Sequence, residues 1–119
     1  MSPKLAVVSL WAEDGTTTAH FYRDVIGLNL LMHDRQRPHF DLGGAYLVIL
    51  KGRPLPPLDP DPARFPIVAF AVDNLDAAVE RLRAHHVDLP WGVEEDADSR
   101  WAMFHDPAGN LIELAQFRS

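Results

Sequence analysis

An internal repeat constrains the fold of this chain more than any other feature of its sequence. In each half an apolar run is followed by a residue that opens a helical stretch, which is Asp14 in the first half and Asn74, 60 positions later, in the second. Further on, residues 41–49 correspond to residues 106–114 at an offset of 65. A chain that carries one plan twice is expected to fold as two half-domains of the same topology.

The hydrophobic pattern of the first half predicts a βαβββ module. Residues 5–11 are rich in Val and Leu, which is typical of a strand that is covered at least partly on both faces. The three threonines at 16–18 are N-cap candidates for the helix that follows, and Gly27 is placed to end it. The Gly43-Gly44 pair predicts a hairpin turn. The remaining strands of the module are predicted at residues 28–33, 39–42 and 45–50.

The second half repeats this order after a proline-rich segment. Residues 51–66 hold six of the ten prolines, so they are predicted to form a linker rather than a central strand or a helix. A flap over a binding site is the alternative for this segment. The helix of the second module, which His85 and His86 close, has an apolar face made by Leu75, Ala78, Val79 and Leu82. Strands are predicted at residues 67–72 and 111–117.

Acidic residues near the turns are interpreted structurally. Asp41 and Asp106 precede Gly-containing turns at matching places in the repeat, where a short carboxylate can cap backbone N–H groups. The acidic run at residues 94–98 is interpreted as a solvated loop, with a loose calcium contact as the minor alternative.

Composition excludes several classes of function. The chain has 119 residues, one domain by size, and no cysteine, so there is neither a disulfide framework nor a thiol nucleophile. A net charge of −6 disfavours binding to nucleic-acid phosphates, and no apolar run is long enough to span a membrane. Without a visible secretory signal, the expected location is the cytoplasm.

Three segments resemble the vicinal oxygen chelate superfamily, which includes glyoxalase I, extradiol dioxygenases and the bleomycin and fosfomycin resistance proteins. Residues 20–28 are similar to the end of the first-module helix, residues 69–78 to the start of the second module, and residues 106–114 to the closing hairpin and last strand. The resemblance implies a single α+β domain, residues 1–119, whose two tandem βαβββ modules (1–50 and 67–119) form a curved, incomplete barrel with the helices outside. It also implies a C2 homodimer, with or without exchange of modules.

The resemblance further implies where a metal ion would bind. In metal-using members, ligands occupy the first and last strands of each module, and these places fall here on Val7, Val48, Ile67 and Glu113. Zinc and non-haem iron need three or four donor side chains, and three of these four residues are branched aliphatics. No metal or other cofactor is therefore expected. A rearranged metal site that combines Glu113 with His39 or His105 is the alternative.

The concave inner face implied by the resemblance is the expected ligand site. If Glu113 points into it, period-two alternation along the strands predicts which residues lie beside it. Trp101 is added because family members often place ligand contacts on its strand. For each of the three tryptophans, packing in the core or in a dimer interface is the alternative. The predicted lining is Val7, Ser9, Trp11, Tyr46, Val48, Ile67, Ala69, Trp101, Leu111 and Glu113.

Glu113 separates the functional hypotheses. As a carboxylate on an apolar wall it would have a raised pKa and could accept a hydrogen bond, act as a general base or balance a cationic ligand. Alternatively, it is a remnant of a chelate, either paired with a nearby arginine or exposed at a sheet edge. The first hypothesis is a metal-free protein that binds a small apolar or aromatic molecule. The second is a lyase, isomerase or dioxygenase in which Glu113 is the base or a metal ligand, and the third is an interaction module without a ligand.

Overall fold

The computed structural model describes residues 2–32, 37–54 and 67–118. The chain divides into two compact units, Met1–Leu55 and Pro56–Ser119, and the boundary lies in the proline-rich segment that was predicted to be a linker. Residues 55–66 of that segment, and His33, lie outside the described residues.

The first unit has the predicted βαβββ order. Its sheet runs β1-β4-β3-β2, in which β1 and β4 are parallel and the other neighbours are antiparallel. The elements are β1 (Val7–Ala12), α1 (Gly15–Phe21) with a π-helical segment (Tyr22–Ile26), β2 (Asn29–Met32), β3 (His39–Asp41) and β4 (Tyr46–Lys51).

The second unit repeats this topology. Its sheet runs β5-β8-β7-β6, with β5 parallel to β8 and antiparallel pairing elsewhere. The elements are β5 (Val68–Ala71), α2 (Leu75–Ala84), β6 (Val93–Glu95), β7 (Ser99–His105) and β8 (Leu111–Phe117). The predicted α+β class and the two βαβββ modules are therefore confirmed.

Both helices begin at the residues that the repeat singled out. The Oδ1 atom of Asp14 accepts a hydrogen bond from the Thr17 N–H at 3.0 Å, and Oδ1 of Asn74 accepts one from the Ala77 N–H at 3.1 Å. These bonds satisfy N–H groups that have no partner inside the helix. The expectation that the threonines at 16–18 supply the cap was wrong, because they lie within α1.

The end of the first helix combines one predicted and one unpredicted feature. The helix ends at Gly27, which has a φ of 89°. Glycine adopts this left-handed conformation with little strain because it has no Cβ atom. The π-helical segment was not predicted; in it, the N–H of Gly27 bonds to the Tyr22 carbonyl five residues earlier, at 3.0 Å. The sequence carries no pattern that distinguishes such a segment from an α-helix.

Each sheet buries one face against the helix of its own unit. In the first unit the Tyr22 ring lies 6.0 Å from that of Phe40, and both side chains are fully buried. In the second unit, Gln116 Oε1 accepts a hydrogen bond from the Leu75 N–H at 2.8 Å and so ties β8 to the start of α2. The apolar core residues of the two sheets are Leu10, Ala12, Phe40, Leu47 and Ile49 in the first, and Ala102, Phe104, Ile112 and Leu114 in the second.

The helices of the described residues do not have the length and apolar character that a membrane crossing requires.

Candidate ligand-binding faces

The opposite side of each sheet, which we call its open face, carries the predicted lining residues. On the first open face, β1 contributes Val7, Ser9 and Trp11, and β4 contributes Tyr46 and Val48. Ser9 is level with Val48 in the parallel pair, while the intervening Leu10 and Leu47 point into the core. Alternation along a strand therefore assigned these five residues to one face correctly.

The first open face presents aromatic surface to solvent. The side chains of Val7, Trp11 and Tyr46 are each 47% exposed. The Trp11 ring lies against the backbone of Gly52, where a Cβ atom would come within 2.7 Å of Trp11 Cε3. The His39 and Tyr46 rings contact edge to face, with centroids 6.3 Å apart. Aromatic rings exposed in this way provide flat surfaces on which a planar ligand can stack.

The second open face brings together Ala69, Trp101, Leu111 and Glu113. In the register of the sheet, Glu113 on β8 lies between Ala69 on β5 and Met103 on β7. Trp101 is two residues from Met103 on the same strand and points to the same side. Ile67 immediately precedes β5 and is 37% exposed, so the predicted strand began one residue too early.

Glu113 is held in an unfavourable environment for a charge. The side chain is partly buried among apolar neighbours, and burial is the main cause that raises the pKa of Glu113 above its ordinary value. The negative charge of Glu94 raises it further. No arginine, lysine or histidine among the described residues forms an ion pair with Glu113. The described residues therefore do not support the alternative in which an arginine pairs with Glu113.

Glu94 was missed as a member of this face. The acidic run was interpreted as a loop, but Val93–Glu95 form β6, and Glu94 is paired directly with Trp101 on the neighbouring strand β7. Its Oε1 atom is buried and has no hydrogen-bond partner among the described residues. A three-residue strand is too short to show alternation, so only the sheet register identifies this side chain.

Three other acidic residues hold turns. As predicted, Asp41 and Asp106 cap turns: Asp41 Oδ1 accepts from the Gly43 N–H at 2.9 Å, and the buried Asp106 accepts from the N–H groups of Ala108 and Asn110, both at 2.9 Å. Asp96, after β6, accepts from two backbone N–H groups of its own turn at 2.8 Å. These carboxylates stabilise turns by accepting hydrogen bonds from backbone N–H groups.

A family model for the Glyoxalase/Bleomycin resistance protein/Dioxygenase superfamily matches residues 4–114. The chain belongs to this superfamily. Protein YaeR of Escherichia coli K12 is 30% identical over 117 residues, which covers 90% of this chain and 91% of that protein.

Solved structures share the fold at low sequence identity. Lactoylglutathione lyase from Agrobacterium tumefaciens has a TM-score of 0.75 at 22% identity and covers 97% of this chain and 94% of its own. TnmS3, an antibiotic binding protein from Streptomyces sp. CB03234, has a TM-score of 0.75 at 24% identity and covers 98% of both chains. The superfamily fold therefore occurs in an enzyme and in a binding protein, and the fold alone does not choose between them.

The side chains present do not fit the metal centre of the metal-using superfamily members. Val7, Val48 and Ile67, which the resemblance places at ligand positions together with Glu113, have no donor atom, and Val48 takes on β4 the place that Glu113 takes on β8. Among residues 2–32, 37–54 and 67–118, no three His, Asp or Glu side chains are grouped closely enough to share an ion. His105 lies on the second open face, but its ring contacts Trp91, with centroids 6.2 Å apart.

Proposed function

We propose that this superfamily member binds a small, largely aromatic molecule on the open faces of its sheets and does so without a metal ion. The observation that carries the proposal is the composition of the second open face, where Glu113 lies between Ala69 and Met103 and close to Trp101. Small-molecule sites are mostly apolar and contain a few polar groups that orient the ligand. This face has that composition.

Exposed aromatic residues on the first open face support the same proposal. Trp11 and Tyr46 are both about half exposed, although burial of a large aromatic side chain is strongly favourable. A planar ligand stacked on such a ring would gain about 0.5–1.5 kcal/mol per ring beyond the burial of apolar area. The antibiotic binding protein with this fold is a precedent for a binding role.

Equilibrium titration tests the proposal. Purified protein is titrated with acridine, a planar aromatic that is neutral near neutral pH, while tryptophan emission and calorimetric heat are followed. We expect saturable binding that weakens severalfold in Trp101→Ala. The control is Glu95→Gln, whose side chain lies on the opposite face of the sheet, and it should bind acridine as the wild-type protein does. Metal analysis of the same sample should find less than stoichiometric zinc, iron, manganese and nickel. Stoichiometric metal together with no binding would contradict the proposal.

A second candidate function rests on the raised pKa of Glu113. A carboxylate whose charged form is destabilised by burial is a stronger base, which suits proton abstraction in a lyase or isomerase. Such a reaction also needs an electrophile that stabilises the developing oxyanion. The test is proton–deuterium exchange at the carbon next to the carbonyl of small 2-oxo aldehydes and ketones. Exchange that is lost in Glu113→Gln, and retained in Glu95→Gln, would establish an enzyme.

We also propose that the protein forms a C2 homodimer, since β1 and β2 are the outer strands of the first sheet and β5 and β6 those of the second. Outer strands present unpaired backbone groups to which a second copy can pair. Light scattering after size-exclusion chromatography should give twice the chain mass of 13.3 kDa, whereas a monomer over a wide range of concentration would refute the dimer.

A further inference from the structure

Two carboxylates lie on the second open face with aromatic and apolar side chains between them. Glu94 on β6 is the direct cross-strand neighbour of Trp101, and Glu113 on β8 is the direct neighbour of Met103. Trp101 and Met103 are two residues apart on β7, the strand between β6 and β8. The backbones of β6 and β8 are therefore separated by two strand spacings, roughly 10 Å. Side chains of this length can reach one ligand group placed over β7.

Both carboxylates lack the partners that buried charges ordinarily have. Glu94 Oε1 is buried and accepts no hydrogen bond from the described residues, which is unfavourable for a carboxylate oxygen. Glu113 is partly buried, and the charge of Glu94 is close enough to raise its pKa. The two partly buried carboxylates repel each other, and a positively charged ligand between them would reduce this repulsion.

The cationic side chains of this sheet lie on its other side. Arg100 is paired in register with Gln116, whose side chain contacts α2, and its Nη2 atom lies 3.0 Å from Asp76 Oδ1 on that helix. Arg118 forms an ion pair with Glu95, the neighbour of Glu94 that points to the opposite face, at 2.7 Å. Within the described residues, no arginine, lysine or histidine forms an ion pair with Glu94 or Glu113, and His105, which shares the second open face, has its ring against Trp91.

We propose that the second open face is the subsite for an organic monocation, an amine or guanidinium attached to an aromatic ring, whose charged nitrogen lies between Glu94 and Glu113 above Trp101. This inference rests on the proposed function and names the class of ligand. The net charge of −6 would favour the approach of such a ligand over that of an anion.

The surroundings favour an organic cation over a metal ion. A divalent cation prefers six or more oxygen ligands or several imidazole and thiolate donors. This face offers two carboxylates beside a tryptophan and a methionine, and among the described residues His105, whose ring contacts Trp91, is not grouped with both of them. An organic cation is more weakly hydrated and can contact the face of an indole ring by a cation–π interaction. The apolar part of the same molecule can then contact Met103 and Ala69.

Two probes that differ in charge test the inference. Near neutral pH, 9-aminoacridine is a monocation, whereas acridine has the same three-ring skeleton and is neutral. Binding of each is measured by fluorescence titration to the whole protein and to its variants. We expect the cation to bind about tenfold more tightly than acridine, and this preference to fall to about threefold or less in Glu94→Gln and in Glu113→Gln. The affinity for acridine should change less than twofold in either variant. Glu95→Gln is the matched control, since its side chain lies on the opposite face, and it should keep the full preference.

Each outcome separates this inference from the proposed function. Equal binding of the two probes, or a preference that survives in the Glu94→Gln/Glu113→Gln double variant, would overturn the cation subsite while leaving aromatic binding intact. Binding of neither probe would contradict both. Circular dichroism of each variant confirms that it is folded. Displacement of 9-aminoacridine by micromolar zinc or calcium, with acridine unaffected, would show that a metal ion is the occupant and would also overturn the inference.

Discussion

Val48 and Glu113 occupy the same place in the two copies of one topology. Val48 on β4 is level with Ser9 on β1, and Glu113 on β8 is level with Ala69 on β5. The helix-facing sides of both sheets bury the same kinds of apolar residue, because each sheet must cover one face with its own helix. The open faces are free of that requirement, and there the two copies differ.

The difference lies mainly in charge. The described part of the first open face presents Trp11, Tyr46 and His39 around aliphatic positions, without a carboxylate at the place that Glu113 fills in the second. The second open face carries Glu94 and Glu113, and neither has a described cationic partner. The first open face also carries Asp41, level with Tyr46, but this carboxylate caps its own turn. Both faces therefore present aromatic side chains, and the second differs by two carboxylates without a described cationic partner; function is expected to depend on these faces rather than on the shared fold.

The similar packing of the two cores is tested by removing one equivalent aromatic ring from each. Phe40 is level with Leu47, and Phe104 with Ile112, and both rings are fully buried. Phe40→Ala and Phe104→Ala should each lower the free energy of unfolding by about 3–5 kcal/mol in urea titrations, because each leaves a cavity. A loss below about 1 kcal/mol in either variant would show that the two cores are not packed alike.

A smaller effect is expected at the matching helix caps. Asn74→Ala removes the acceptor for the Ala77 N–H and should cost about 1 kcal/mol of unfolding free energy. Asn74→Asp is the control, since it keeps the oxygen in place, as Asp14 does in the first module. If the alanine and aspartate variants were equally stable, the side chain would not be acting as a cap.

A substitution at Gly52 tests the position of the Trp11 ring on the first open face. A methyl group there would collide with the Trp11 ring, so Gly52→Ala should displace the ring, shift its fluorescence emission and lower the unfolding free energy by up to about 1 kcal/mol. Gly15→Ala is the control, because nothing lies within 4 Å of the added carbon. An unchanged emission spectrum in Gly52→Ala would contradict the placement of the indole ring.

Glu113, on the second open face, should give the stability of the protein a small dependence on pH. Because the pKa of Glu113 is raised in the folded state, its contribution is fully present below the ordinary value of 4.5 and is lost as the pH rises through the raised pKa. The unfolding free energy of the wild-type protein should therefore fall relative to that of Glu113→Gln between acid and neutral pH. Val48→Gln, at the equivalent place in the first module, should follow the wild-type pH profile. A constant difference between wild type and Glu113→Gln across this range would refute the raised pKa.

The sequence by itself determined the duplicated βαβββ order, the places at which both helices begin, the Gly27 helix end and the two aspartate turns. These features are local: each depends on a periodicity or on a side chain that bonds to backbone within a few residues, as Asp41 does with Gly43. Alternation also assigned Val7, Ser9 and Trp11 to one face, since β1 is long enough to show it.

Only the tertiary structure placed Glu94 and Met103 beside the predicted site. Their position depends on the register between β6, β7 and β8, and register is set by pairing between strands that the local sequence of a three-residue strand does not encode. The raised pKa of Glu113 is likewise a property of its surroundings, because burial and the charge of Glu94 arise from segments that come together only on folding.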